Sequence, residues 1–191
     1  AEAMREEYLA IVEAGFILQI DDPWLIEYLT DFSGLETEAR ERGCNEHIEA
    51  LNHALRGIPA DRVRHHTCYG LNHGPRLTDV PMAKVVPFML KVNAGAYSFE
   101  VANPRHQHEY KLFGRHPLPP GLLLIPGVID VTTNVLEHPE VVADRIERID
   151  QRHAGGKHGG QGARPACDRG FGEHVAENRQ FQRIFVLGDL Q

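Results

Sequence analysis

Val63-Arg64-His65-His66, running into Thr67-Cys68-Tyr69-Gly70-Leu71-Asn72-His73-Gly74, is the stretch on which the fold turns. Its first half reads as a short buried strand and its second as a loop containing glycine. Residues i and i+2 of a strand share a side, so His66 and Cys68 are expected to point into one space. An imidazole nitrogen and a thiolate converging at a strand end are the beginning of a soft-metal site, and zinc suits them best. A buried strand pair with no metal is the bland alternative.

Three other apolar runs end in the same way, each with an acid after it. Phe16-Ile17-Leu18-Gln19-Ile20 precedes Asp21, Ala96-Tyr97-Ser98-Phe99 precedes Glu100, and the run from Leu122 to Ile129 precedes Asp130. Helical stretches lie between them. Cys44, Ile48, Leu51, Leu55 and Ile58 recur at helical spacing between Glu36 and Ile58. A second helix is expected from Asp79 to Val92 with Pro81 in its first turn, and a third from Pro139, striped by Val142, Ile146 and Ile149. Strand, functional residue, loop and helix in repeated order specify a parallel α/β protein. The expected architecture is a (β/α)8 barrel of the TIM type, whose chemistry collects at the carboxyl ends of the strands. Asp21, His66, Cys68, Glu100 and Asp130 all fall at such ends.

Composition narrows the function classes. Net charge is −7, from 20 basic and 27 acidic residues, so nucleic acid is not an expected partner. No stretch approaches the roughly 20 apolar residues of a membrane span, and no signal peptide is read at the start. Cys44, Cys68 and Cys167 are odd in number and far apart, which argues against a disulfide framework and for a reducing, cytoplasmic setting. Most of the 12 histidines, His47 and His53 among them, read as solvated. Cys44 reads as core, and His106 and His108 as loop histidines with substrate contact left open.

Length and tail both depart from a whole barrel. The eight-unit fold takes about 250 residues, whereas these 191 residues supply four strand–helix units and a weakly patterned fifth strand, and open within a helix, Glu2 to Ala14. Residues 1–150 therefore read as the C-terminal half to two-thirds of a barrel. Its two open strand edges call for further strands or for a second copy of the chain. Residues 151–191 read as a degenerate last segment, because the glycine-rich run from Gly155 to Gly162 carries no periodicity.

Leu18-Gln19-Ile20-Asp21-Asp22-Pro23, His66-Thr67-Cys68, Glu100 and Pro126-Gly127-Val128-Ile129-Asp130 together resemble the C-terminal catalytic barrel of cobalamin-independent methionine synthase. The family's relatives include epoxyalkane:coenzyme M transferases and zinc methyltransferases of methanogens. Phe99-Glu100-Val101-Ala102-Asn103-Pro104-Arg105-His106, with His108-Glu109, is similar to the coenzyme M transferase-like branch. The resemblance implies one zinc, held by His66, Cys68, Glu100 and a cysteine beyond the last strand, for which Cys167 is the candidate. If Gly170-Phe171-Gly172 sets the register, Arg169 takes that position instead. It also implies substrate-binding roles for Asp21 and Asp130, with the acid at Asp21 binding the ammonium of homocysteine.

That ligand set is electron-rich, a poor Lewis acid toward water and a good holder of a thiolate. The implied reaction is methyl transfer from 5-methyltetrahydropteroyltriglutamate to homocysteine. In the alternative branch coenzyme M attacks an epoxide, and a third reading is a noncatalytic truncated remnant. Bland alternatives stand beside these roles: Glu100 as a helix cap or a partner of Arg105, Asp21 and Asp130 as N-caps or loop carboxylates.

Overall fold

Alternation along Leu18-Gln19-Ile20-Asp21-Asp22 buries every second residue, and the pattern repeats in the neighbouring strands. A computed structural model describes residues 1–30, 34, 36–70, 79–113 and 121–154, with 150–154 by backbone alone. The strands are β1 (Leu18–Asp22), β2 (Val63–Thr67), β3 (Ala96–Glu100) and β4 (Leu123–Gly127). They form one parallel sheet in the order β1-β2-β3-β4. The helices are α1 (Glu2–Glu13), α2 (Trp24–Leu29), α3 (Thr37–Ala54), α4 (Met82–Met89) and α5 (Pro139–Ala154). The protein is thus α/β.

Each strand comes out shifted by a residue or two from its expected bounds, and three of the four run one or two residues further. Asp21, Asp22, Thr67 and Glu100 pair within the ladder rather than following it. Pro81 precedes α4 in an extended conformation instead of sitting in its first turn, because the carboxylate of Glu109 takes the Met82 N–H at 2.8 Å and starts the helix there. Helix α5 continues to Ala154, four residues into the stretch read as irregular. Three short elements went unforeseen, α2 and the 3₁₀ turns over Ala60–Arg62 and Glu109–Leu112. Residues 155–191, Cys167 and Arg169 included, lie outside the described residues.

The sheet has two unlike faces. One turns Leu18, Ile20, Val63, Tyr97 and Phe99 into a core shared with Ile48 of α3 and Met89 of α4, all nearly inaccessible to water. Burial at this scale supplies the main stabilising term, about 1.5–3 kcal/mol for each large apolar side chain. The other face carries Gln19, Asp21, Arg64, His66, Ser98 and Glu100, all half-buried or exposed. Polar side chains on a strand face are tolerated where water or a ligand reaches them, so this face is where chemistry can occur.

Candidate metal centre

Register decides which side chains meet. Asp21 of β1 lies opposite His66 of β2, which lies opposite Ser98 of β3. One residue past the end of β2, the Cys68 N–H donates to the Asp22 carbonyl at 3.1 Å, so strand geometry persists to Cys68 and keeps it on the side of His66. The chain then turns at Gly70, whose φ of 73° is open to glycine at little cost. The Gly70 N–H donates to Cys68 Sγ at 3.3 Å, a contact that favours negative charge on the sulfur.

The result is a cluster. One ligand atom each from Asp21, His66 and Cys68 lie within 4.8 Å of one another. His66 Nε2 stands 3.7 Å from Asp21 Oδ1, too far for a hydrogen bond and suited to two donors around one ion. The other ring nitrogen, Nδ1, lies 3.2 Å from Ser98 Oγ. A proton donated there leaves Nε2 bare and fixes the ring, the usual second contact of a metal-ligating histidine. Burial lowers the pKa of His66; Arg64 and His65 push the same way against the pull of Asp21 and Glu100. A neutral imidazole, the ligating form, is thereby favoured.

Glu100 sits at the carboxyl end of β3 on the same face, opposite Gly127 of β4. Its Oε1 is inaccessible to water and has no hydrogen-bond partner. A buried carboxylate oxygen left so is costly unless something else occupies it. The resemblance assigns Glu100 to the metal and Asp21 to the substrate, while the geometry gathers Asp21 with His66 and Cys68. Asp130 follows β4, but its Oδ1 is engaged by Thr132, from the backbone N–H at 2.9 Å and the hydroxyl at 2.6 Å. Those bonds build the loop between β4 and α5. A donor set of one imidazole, one thiolate and one or two carboxylates fits zinc.

Behind the site lies a buried group that sequence reading missed. Asp22 points to the helix side and accepts hydrogen bonds from His65 Nε2 at 3.0 Å, His47 Nε2 at 3.0 Å and the Trp24 N–H at 3.0 Å. Burial alone would raise its pKa, but the two histidines outweigh it and hold the carboxyl well below the usual aspartate range. His47 is therefore a partly buried partner of Asp22, not a solvated residue. Its place beside the Cys44–Leu51 stripe of α3 was the signal. His106, read as a loop histidine, is 2% exposed, bonded through Nδ1 to Glu109 Oε2 at 2.8 Å and packed on the Tyr69 ring. Cys44 is core as expected, and burial, with Asp22 nearby, pushes its thiol up to about 11.

Comparisons of the chain with protein-family models, with curated proteins and with solved structures return no match.

Proposed function

We propose that the chain is a zinc-dependent S-alkyltransferase domain of the methionine synthase type, built on part of a (β/α)8 barrel. The observation that carries this reading is the approach of Asp21, His66 and Cys68 within 4.8 Å at the carboxyl ends of adjacent parallel strands. The unpartnered Glu100 Oε1 on the same face supports it. His66 and Cys68 would hold the zinc with Glu100 or Asp21, and Cys167 is the further candidate ligand. Bound there, zinc would keep an incoming thiol in its nucleophilic, deprotonated form.

The chain's own residues do the rest. Ser98 orients the imidazole of His66, and the Gly70 N–H supports the thiolate of Cys68. A carboxylate left free of the metal, Asp21 in the resemblance, faces the substrate and suits an ammonium group. In the overall reaction an S–C bond forms while the bond from the methyl carbon to N5 of a methylated folate breaks, and the proton given up by the thiol is matched by one taken up at N5, which leaves with the electron pair. The second reading replaces that donor with an epoxide, whose C–O bond breaks instead and whose oxygen takes up the proton. The run from Phe99 to His106 with His108-Glu109 favours it.

The test uses the full chain loaded with zinc. Methyl transfer to homocysteine is assayed beside addition of coenzyme M to epoxypropane. Thioether formed in the first assay and lost in Cys68→Ser is the expected result. Thioether in the second assay alone selects the epoxide branch. A chain that holds zinc and forms neither product is the noncatalytic remnant.

A further inference from the structure

Arg64 brings a positive charge to the open face of the sheet, and among the described residues nothing pairs with it. It lies on β2 two residues before His66, between Gln19 of β1 and the small Ala96 of β3. Alternation turns it to the side of His66, Cys68 and Glu100. Its charge is felt at the His66 ring, yet among the described residues it forms no ion pair and no hydrogen bond with Asp21, Glu100 or any other group. Its Nε has no accessible surface and no partner. A guanidinium offers five donors in a rigid fork, and burying a donor unpaired is costly. Structural arginines in strands find carboxylates or carbonyls; this one faces the candidate metal centre and finds neither.

We infer that Arg64 receives the acidic group, carboxylate or sulfonate, of the thiol substrate whose sulfur is presented at Asp21, His66 and Cys68. The assignment rests on the thiol-alkylation reading above and adds the residue that selects the substrate's charge. Electrostatics require such a residue. Even around a divalent ion, two carboxylates and a thiolate leave the site net negative, which disfavours a second anionic group on the thiol, and a cation at short range offsets that repulsion. The planar fork of arginine matches an oxyanion bidentately. His66 and Arg64 are about 6.6 Å apart along the strand, so a thiol with two or three carbons between sulfur and acid spans both positions.

The experiment loads the full chain with cobalt(II) and follows the thiolate-to-cobalt absorption during titration. The probes are 3-mercaptopropionate, 2-mercaptoethanesulfonate, and the neutral 2-mercaptoethanol and methyl 3-mercaptopropionate. One charge-assisted contact corresponds to about 10- to 100-fold in affinity, and the acidic thiols are expected to bind the wild type tighter by that factor. The ratio between the two acids tells which oxyanion the site prefers. Arg64→Gln should erase the advantage and leave cobalt binding and the neutral thiols unchanged, while Arg64→Lys should retain part of it. Equal binding of acidic and neutral thiols to the wild type overturns the role of Arg64 alone, and needs no variant to fold. A preference that persists in Arg64→Gln does the same. A cobalt spectrum that no thiol changes overturns the thiol-alkylation reading and this assignment with it.

Discussion

At the scale of single residues, Asp22 does more for the site than its place on the covered face suggests. Its carbonyl accepts the Cys68 N–H, its side chain holds His65, and its chain neighbour is Asp21. Through its backbone and side chain together, this one residue touches the positions around all three members of the cluster. Asp22→Asn puts an amide donor against two histidine N–H groups, and a loss of about 1–3 kcal/mol at neutral pH is expected from urea denaturation. The pH dependence has a definite sign. The folded pKa lies below the unfolded value near 3.8, so this stabilisation is complete above that value and fades as pH falls through the folded pKa. The variant should therefore lose less stability than the wild type between pH 5 and pH 3, as an estimate from that linkage; equal losses would refute the role given to Asp22. Little of this was legible in the sequence. The His66–Cys68 pair could be read because strand alternation is a local rule. The partnership of His47, His65 and Asp22 depends on how α3 lies across the sheet, which no local pattern reports. The buried pairing of His106 with Glu109 was hidden for the same reason.

Among the elements, β3 is fixed most tightly at its start. The Gly95 N–H donates to the Ala60 carbonyl at 2.6 Å and the Val63 carbonyl at 3.2 Å, locking β3 beside β2. A Cβ at Gly95 would meet Ala60 O at 2.7 Å and Asp61 Cα at 3.0 Å, and backbone atoms cannot step aside as a flexible side chain can. Gly95→Ala is accordingly expected to cost about 1–3 kcal/mol and to disturb the register that sets Ser98 opposite His66. Thermal melts would measure the first effect and metal affinity the second. A variant as stable as the wild type, with unchanged metal binding, would contradict this account of the register. The element pattern was the most readable level of all. Apolar runs of strand length and stripes of helical spacing gave four strands and four of the five described helices. Strand ends slipped by one or two residues because parallel pairing carried Asp22, Thr67 and Glu100 into the ladder, which depends on the neighbouring strand.

Across the whole molecule, the sheet leaves one face and two edges unfilled among the described residues. No described strand pairs with the outer side of β1 or β4. Apolar side chains near β4 meet water, with Leu123, Ile129 and Val131 more than half exposed. Parallel sheets are ordinarily covered on both faces, and open edges recruit other strands. The isolated chain is therefore expected to self-associate in sedimentation velocity at micromolar concentration, and a compact monomer with a single cooperative melt would count against this. No described helix is long and apolar enough to cross a membrane. The four-stranded parallel sheet was legible in the sequence. The described strands form that open sheet and do not themselves close into a barrel. Everything functional rests on one claim, that the strand ends of this sheet hold a soft metal ion. Titrating the metal-free full chain and its Cys68→Ser variant with cobalt(II) tests that claim most directly. The account predicts one ion per wild-type chain with a sulfur-to-cobalt absorption band. The variant should lose the Cys68 contribution to that band, and its affinity should fall by more than the roughly 10- to 100-fold that losing a hydrogen-bond partner of a ligand costs. Equal affinity and an unchanged band in the two proteins would contradict it.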